Sequence, residues 1–230
     1  MISGPNRFRF HRPLDLLVAV TGLIIFSPVL VVSWLAAGRS AKGSGLFRQT
    51  RIGQDAQPFE IVKFRTMSAD ATGGTVTTAG DGRITSVGRL LRRSKIDEVP
   101  QLLNVLRGEM ALIGPRPDVA GFADELEGDD RGVLSIRPGV TGPASVLFAN
   151  EEDLLATVKD ADSFNADVLF PLKTAVNRAW IDEASLLDDL RILVWTVKRP
   201  NPEELHAMIH RWESGLTLDP LAGEPLHDHD

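Results

Sequence analysis

The longest apolar run of the chain lies near its amino terminus, where residues 14–37 contain one charged side chain, Asp15. A helix needs about 20 apolar residues to span a bilayer, so this run is long enough to enter a membrane. Ser27 and Pro28 interrupt it near its middle, where proline removes a helical hydrogen bond. Because basic residues flank the run on both sides, the positive-inside rule favours both ends in the cytoplasm. The pattern leaves two interpretations open, a re-entrant helical hairpin broken at Ser27 and Pro28 and a kinked single span.

The pattern after this run predicts a small antiparallel β-hairpin, with strands at residues 47–52 and 59–67 joined by a turn segment. Lys63 and Arg65 would share one face of the second strand, because side chains two residues apart point the same way. Helical spacing dominates the remainder of the chain. It is found over residues 83–93, 166–180 and 185–198. These elements predict an α+β domain that is mainly helical.

Charge is distributed unevenly along the chain, whose net charge is −6. Residues 39–95 carry 11 Lys and Arg against 4 Asp and Glu, and the rest of the chain is acidic. A basic stretch in an acidic protein indicates an anionic partner such as lipid headgroups, a phosphorylated substrate or nucleic acid. Aromatic side chains for base stacking are scarce in this stretch, so nucleic acid is not expected as a partner. The absence of cysteine excludes disulfides and thiolate metal sites.

Two adjacent carboxylates, Asp97 and Glu98, follow three cations and precede an apolar helical pattern. Pro100 fits only the first turn of a helix, so the helix is expected to begin between Ser94 and Asp97, with either residue as its cap. Helical neighbours point about 100° apart, so the pair cannot flank one bond as glycosidase carboxylates do. One carboxylate could act as a nucleophile while the other binds a metal ion. The alternative is the charged first turn of an ordinary amphipathic helix.

Two stiff loops in the second half of the chain each carry an arginine. Arg116 stands between Pro115 and Pro117, which restrict the backbone and therefore the direction of the guanidinium. A fixed guanidinium suits bidentate phosphate recognition. Arg137 begins the second loop, which is rich in proline and glycine.

Together these stretches resemble the bacterial sugar transferase family, the monotopic polyprenyl-phosphate phosphoglycosyl transferases, in their small single-domain type. The matching motifs stand in the family's order and span roughly residues 8–200. They include Ser27-Pro28, Lys63-Phe64-Arg65-Thr66-Met67, Leu91-Arg92-Arg93, Asp97-Glu98-Val99-Pro100-Gln101-Leu102, Gly114-Pro115-Arg116-Pro117 and Arg137-Pro138-Gly139-Val140-Thr141-Gly142.

The resemblance implies transfer of a sugar-1-phosphate from a UDP-sugar to undecaprenyl phosphate with release of UMP, the first membrane step of polysaccharide or glycoconjugate assembly. Asp97 would attack the diphosphate and form a covalent aspartyl phosphosugar, and Glu98 would bind Mg²⁺. Ser27 and Pro28 would break the re-entrant helix at the cytoplasmic face of the bacterial inner membrane. The residues expected to bind substrate or phosphate are Lys63, Arg65, Arg92, Arg116, Arg137 and Asp189.

This interpretation divides the chain into consecutive parts. A basic segment (1–13) precedes the membrane hairpin (14–37), the catalytic domain (38–200), an accessory amphipathic helix (201–215) and a tail expected to be disordered (216–230). A homodimer is left open. The chain departs from the family after Gly142, where Pro143-Ala144-Ser145-Val146-Leu147 replaces a segment that usually carries a Gln-Val pair. The sugar is therefore not specified.

Two other functions stay open at this point. A membrane-anchored adaptor without enzymatic activity could bind anionic lipid through the basic stretch and a partner through its carboxy-terminal helices. A UDP-sugar glycosyltransferase would release UDP where the phosphoglycosyl transferase releases UMP. The concentration of cations and adjacent carboxylates favours an enzyme, because an adaptor does not need them.

Overall fold

The computed structural model describes residues 8–70, 77–198 and 200–212, and it is mainly helical with little β-structure, as predicted. The predicted tail (216–230) and residues 1–7 of the basic segment lie outside the described residues. The helices are α1 (Phe8–Ala41), α2 (Ser86–Arg93), α3 (Leu102–Arg107), α4 (Pro143–Leu147), α5 (Glu151–Leu155), α6 (Ala161–Phe164), α7 (Phe170–Glu183), α8 (Leu186–Val197) and α9 (Pro202–Trp212). The strands are β1 (Leu46–Ile52), β2 (Pro58–Phe64), β3 (Ala111–Ile113) and β4 (Gly139–Thr141).

The predicted hairpin is confirmed as the antiparallel pair of β1 and β2, with Leu46 opposite Phe64 and Ile52 opposite Pro58. β2 ends at Phe64, earlier than the sequence pattern indicated. Ile61, Val62 and Phe64 are buried, so the hairpin forms a wall of the domain against which α2 and α3 pack.

A second strand pair was not predicted. β3 and β4 pair in parallel, with Ala111 opposite Gly139 and Ile113 opposite Thr141. Each strand has three residues, which is too short for an alternating pattern to be recognised. The two backbones approach closely, because any Cβ on Gly139 would collide with the backbone nitrogen of Gly114. This pair fixes the loops that carry Arg116 and Arg137.

The largest hydrophobic core of the described structure surrounds α7. Trp180 and Val176 of α7 are completely buried, and Ile192 of α8 packs with them. α8 begins at a capping box in which Ser185 and Asp188 exchange side-chain and backbone hydrogen bonds. α9 adds Leu205, Met208 and Trp212 to the same core. The carboxy-terminal helices therefore brace the loops that follow β3 and β4.

α1 is one helix that passes through Ser27 and Pro28 without interruption. Pro28 has no N–H to donate to the carbonyl of Ile24, four residues earlier. The Ser27 hydroxyl donates to that oxygen at 2.8 Å, which replaces the missing bond and lets the helix continue. The structure thus shows one continuous helix where the sequence predicted two helices separated by a break at Ser27 and Pro28, and the re-entrant path of this helix stays a prediction.

Two stretches of α1 pack against the rest of the described structure. Asp15 and Ala19 are buried in the first stretch, and Ser33 and Ala37 are buried in the second. All residues from position 24 to position 29 are exposed, so the middle of the helix contacts the domain on no side. By length and composition α1 could cross a membrane. Its exposed, apolar middle is the part best suited to enter lipid.

Candidate active site

Asp97 and Glu98 lie in a short 3₁₀ turn, Ile96–Gln101, rather than in the first turn of an α-helix. Lys95 adopts a left-handed conformation with φ of 55° and reverses the chain before the turn. Ser94 does not cap this helix as predicted. Its hydroxyl donates to the carbonyls of Leu90 and Leu91 at the end of α2, and α3 itself begins only at Leu102. The reversal at Lys95 separates the two helices, and the 3₁₀ turn holds both carboxylates between α2, α3 and β2.

Glu98 is the centre of a charged cluster drawn from separate parts of the chain. Its Oε1 accepts from Lys63 Nζ at 3.2 Å and from Arg116 Nη2 at 2.5 Å. Burial alone would raise the pKa of Glu98, but the positive charges of Arg116 and Lys63 outweigh burial and hold this pKa well below its usual range. Glu98 is therefore a carboxylate at every pH of practical interest.

Asp97 is the more buried carboxylate, with 9% of its surface exposed. Burial and the adjacent charge of Glu98 raise the pKa of Asp97, and the charges of Lys63, Arg92 and Arg116 only partly offset them. Within the described structure no group hydrogen-bonds to the Asp97 carboxylate. Its oxygens are thus available to attack an electrophile, in a field of positive charge that could bind phosphate oxygens.

Arg92 is positioned by two contacts. Its Nε donates to Thr66 Oγ1 at 3.0 Å, and its Nη1 donates to Glu152 Oε1 at 2.7 Å. α2 can lie this close to Thr66 because Gly88 faces the Thr66 carbonyl, where a Cβ would collide. No motif pointed to Glu152, which lies 60 positions along the chain from Arg92 in an acidic run. The contacts with Thr66 and Glu152 fix the guanidinium of Arg92, whose charge acts on Asp97.

The structure places two of the predicted phosphate-binding cations away from this cluster. Arg65 donates through Nε to the Ser44 carbonyl at 2.9 Å, and its guanidinium lies 5.7 Å from the ring centre of Phe47. The alternation that was expected to pair Arg65 with Lys63 stops where β2 ends. Arg137 donates through Nε to the carbonyl of Gly108 at 2.8 Å, which secures the end of α3.

Asp189 is also remote from the carboxylate pair. It accepts from Trp180 Nε1 at 2.7 Å and lies 3.1 Å from His11 Nε2, so it joins α7 and α8 to the start of α1. The predicted residues that the fold does bring together are Lys63, Arg92, Asp97, Glu98 and Arg116.

The carboxylate pair suits a magnesium ion that arrives with substrate. The described residues contain no group of three or more Asp, Glu or His side chains that could hold a metal ion. Mg²⁺ commonly uses one or two protein carboxylates and completes its shell with water and phosphate oxygens. Lys63 and Arg116 both contact Oε1 of Glu98, which leaves Oε2 outside these contacts. Their charges oppose a bare cation, so the negative charge of a diphosphate would be needed to bring Mg²⁺ in.

We expect Lys63 to titrate far below an ordinary lysine. Burial and the charge of Arg116 lower the pKa of Lys63 to about 8, although Glu98 and Asp97 act in the opposite direction. Nuclear magnetic resonance of ¹³C-methylated protein in the absence of divalent metal would measure it, with Lys63→Arg identifying the signal. In Glu98→Gln the pKa should fall further, because the nearest negative charge is lost. A Lys63 signal that titrates near 10.4, the usual lysine value, would contradict this environment.

The model of the family described as bacterial sugar transferase matches residues 6–200. The chain therefore belongs to the bacterial sugar transferase family.

Several named proteins are similar to this chain in sequence. A UDP-glucose:undecaprenyl-phosphate glucose-1-phosphate transferase of Caulobacter vibrioides is 44% identical over 140 residues, which are 59% of this chain and 52% of that protein. The protein of the same name from Escherichia coli is 34% identical over 202 residues, which are 85% of this chain and 41% of that protein. The exopolysaccharide production protein ExoY of Rhizobium meliloti is 32% identical, with 81% of this chain and 83% of that protein covered. The chain thus spans about half the length of the first two relatives.

Proposed function

We propose that this protein transfers a sugar-1-phosphate from a UDP-sugar to undecaprenyl phosphate, giving undecaprenyl-diphospho-sugar and UMP. The observation that carries the proposal is the buried carboxylate of Asp97, which accepts no hydrogen bond within the described structure. It lies next to Glu98 in the field of Lys63, Arg92 and Arg116. Phosphoryl transfer requires a nucleophile in line with the leaving group and positive charge on the non-bridging oxygens. The names of the relatives support the same donor and acceptor classes.

In this mechanism an ionised Asp97 oxygen attacks the phosphorus that bears the sugar. The bond from that phosphorus to the bridging oxygen breaks, and UMP leaves with that oxygen and its electron pair. A phosphate oxygen of undecaprenyl phosphate then attacks the same phosphorus, which forms the lipid diphosphate and releases Asp97. A carboxylate needs no base to become a nucleophile, because it is already ionised at neutral pH. Lys63, Arg92 and Arg116 stabilise charge on the phosphate oxygens throughout.

The cofactor proposed for this reaction is Mg²⁺, held through Glu98. A bound Mg²⁺ ion supplies Lewis-acid neutralisation of the diphosphate and of the departing UMP. Arg116 and Lys63 keep Glu98 ionised and oriented, so the carboxylate is prepared for a metal ion before substrate arrives. Glu98 would hold the ion, and Lys63 and Arg116 would remain beside this carboxylate.

We place the protein at the cytoplasmic face of the bacterial inner membrane, with α1 bent at Pro28 so that its middle dips into the bilayer while both of its ends stay on one side. Support comes from the packing of α1, because Arg12 near its start donates to the carbonyls of Val105 and Leu106, while Ala37 near its end packs with Phe64 and Leu91. Both ends of the helix therefore contact the same domain. Exposed apolar side chains along α1, among them Leu17, Ile24 and Val32, are left for lipid, where a long-chain lipid phosphate could meet a soluble nucleotide sugar.

The decisive experiment incubates the detergent-solubilised protein with a panel of UDP-sugars and Mg²⁺, with and without undecaprenyl phosphate. We expect UMP release with acceptor and, without acceptor, a gain in intact protein mass equal to one sugar phosphate. Release of UDP would show a glycosyltransferase. No nucleotide product with any donor, together with binding to anionic vesicles, would favour the adaptor.

The topology can be tested with Pro28→Ala. Alanine restores the backbone bond to Ile24, so α1 should straighten and carry its amino terminus across the bilayer. Because the chain has no cysteine, Ser3→Cys gives a single site for a membrane-impermeant maleimide in intact spheroplasts. We expect labelling in the Pro28→Ala background and none with Pro28 present.

The contacts of Arg12 with α3 oppose this movement, so Arg12→Ala combined with Pro28→Ala provides a second variant. Permeabilised cells, in which all variants should be labelled, are the control. If residue 3 stays protected in both variants, proline does not determine the path of α1.

A further inference from the structure

A cavity adjoins the charged cluster at Arg116 and has no role in the chemistry described above. It lies between the loop after β3 and the helices α4, α5 and α7. Arg116 is common to both sites, because the same side chain that contacts Glu98 also lines the cavity. The polar side chains that line it include Arg116, Asp118, Ser145, Glu151, Lys173 and Asn177.

Two polar atoms at this cavity are buried without a hydrogen-bond partner in the described structure, Asn177 Oδ1 and Ser145 Oγ. Asn177 is 7% exposed, so its carbonyl has little contact with bulk solvent. Buried polar atoms are nearly always hydrogen-bonded in proteins, and an unpaired one requires an explanation. Both residues line the cavity, so a polar ligand bound there would lie beside them.

The remaining lining groups supply donors and acceptors side by side. Lys173 Nζ donates to Glu151 Oε1 at 2.6 Å, which places one cation and one carboxylate at the cavity. Asp118 adds a second carboxylate, and Thr174 adds a hydroxyl. A ligand with several hydroxyl groups both donates and accepts, so it matches such a mixed lining.

We infer that this cavity receives the sugar ring of the nucleotide sugar, with Ser145 and Asn177 as residues that determine which sugar is accepted. The inference rests on the proposed function. In that reaction the sugar stays on the phosphorus attacked by Asp97, whereas the uridine leaves. Because Arg116 both contacts Glu98 and lines this cavity, the cavity adjoins the carboxylate pair at which the retained part of the donor reacts.

The lining favours a sugar over the uracil base. Bases commonly stack on aromatic faces. Phe170 is the aromatic side chain among the described lining residues, and it already packs edge-to-face with Phe122 at 5.2 Å and 68°. Hydroxyl recognition by paired polar groups also gives strong discrimination between sugars, because a missing partner leaves a buried group unsatisfied.

The test measures binding separately from turnover. In an Asp97→Asn background with Mg²⁺, calorimetry gives the Kd for each of a panel of UDP-sugars and for UDP. Ser145→Gln, which fills part of the cavity, and Asn177→Ala, which removes the unpaired carbonyl, are added one at a time. We expect each to raise the Kd for the best UDP-sugar about tenfold and to change the order of preference among donors. The Kd for UDP should change by less than about twofold, because UDP has no sugar ring to lose contacts.

Ser163→Gln is the matched control, because Ser163 is exposed on α6 and does not line the cavity. Thermal melting of each variant checks that it is folded. Two results would overturn the inference: unchanged donor affinities and preference in both cavity variants, or an equal loss of affinity for UDP. The second result would place the uridine in the cavity. The turnover assay of the wild type tests the proposed function independently, so failure of one is distinguishable from failure of the other.

Discussion

Asp97→Asn is expected to lower the rate of UMP release by at least about a thousandfold while leaving the protein folded. The amide has almost the same volume as the carboxylate but cannot form the phosphosugar bond. Burial and Glu98 raise the pKa of Asp97, so keeping this carboxylate ionised at neutral pH costs the folded state stability. Removing that charge should leave the melting temperature unchanged or increase it. A carboxylate kept at a cost to stability is typical of a functional site.

Intact-protein mass spectrometry with each UDP-sugar detects the phosphosugar bond, and calorimetry measures the melting temperature. Wild type should gain the sugar phosphate and Asp97→Asn should not. Asp153→Asn, in the exposed acidic run of α5, is the matched control and should behave as wild type. Adduct formation on Asp97→Asn would show that another residue is the nucleophile. Turnover without an adduct on wild type would instead indicate direct attack by the lipid phosphate.

Glu98→Gln is expected to lower both activity and stability. Lys63 and Arg116 lose the carboxylate that they share, and a hydrogen bond to a charged group contributes about 2 kcal/mol, so the free energy of unfolding should fall by roughly that amount. Turnover should fall about a hundredfold or more, because the proposed metal ligand is weakened and the two cations lose their orientation.

The stability difference should depend on pH in one direction. The pKa of Glu98 is depressed in the folded protein, so its contribution is fully present above the unfolded value, about 4.5, and declines as the pH falls below it. Urea unfolding of both proteins from about pH 2 to about pH 8 in the absence of metal measures the difference. A constant difference across this range would show that the ion pairs of Glu98 do not stabilise the fold. Glu60→Gln, which removes an exposed partner of Arg48, is the control and should cost little.

At Lys63 and Arg65 the strand pattern did not predict which side chain reaches the carboxylates. Alternation along a strand places both on one face, yet only Lys63 reaches Glu98, because β2 ends at Phe64. Strand ends depend on which partner backbone is present, and a local pattern does not contain that information. Arg137 and Asp189 were selected by motif as well, but Arg137 secures the end of α3 and Asp189 joins α8 to α7 and α1.

The 3₁₀ turn that carries Asp97 and Glu98 also depends on more than the local sequence. Pro100 predicted a helix start close to Asp97, and a helical turn does begin at Ile96. Its 3₁₀ form and the left-handed Lys95 before it depend on how α2 and α3 pack, which spacing does not reveal. Likewise, Pro28 predicted a break in α1, whereas the Ser27 hydroxyl keeps the helix continuous.

The sequence by itself determined the apolar amino-terminal helix, the β1–β2 hairpin, the mainly helical class and the adjacent carboxylates with their basic surroundings. Each of these follows from a local property, namely periodicity, composition or proximity along the chain. Only the tertiary structure decided which cations surround Asp97 and Glu98, that Glu152 positions Arg92, and that Ser145 and Asn177 meet at a cavity beside Arg116. Those contacts join residues tens of positions apart. They form because burying the core of α7 and α8 and pairing β3 with β4 bring distant loops together.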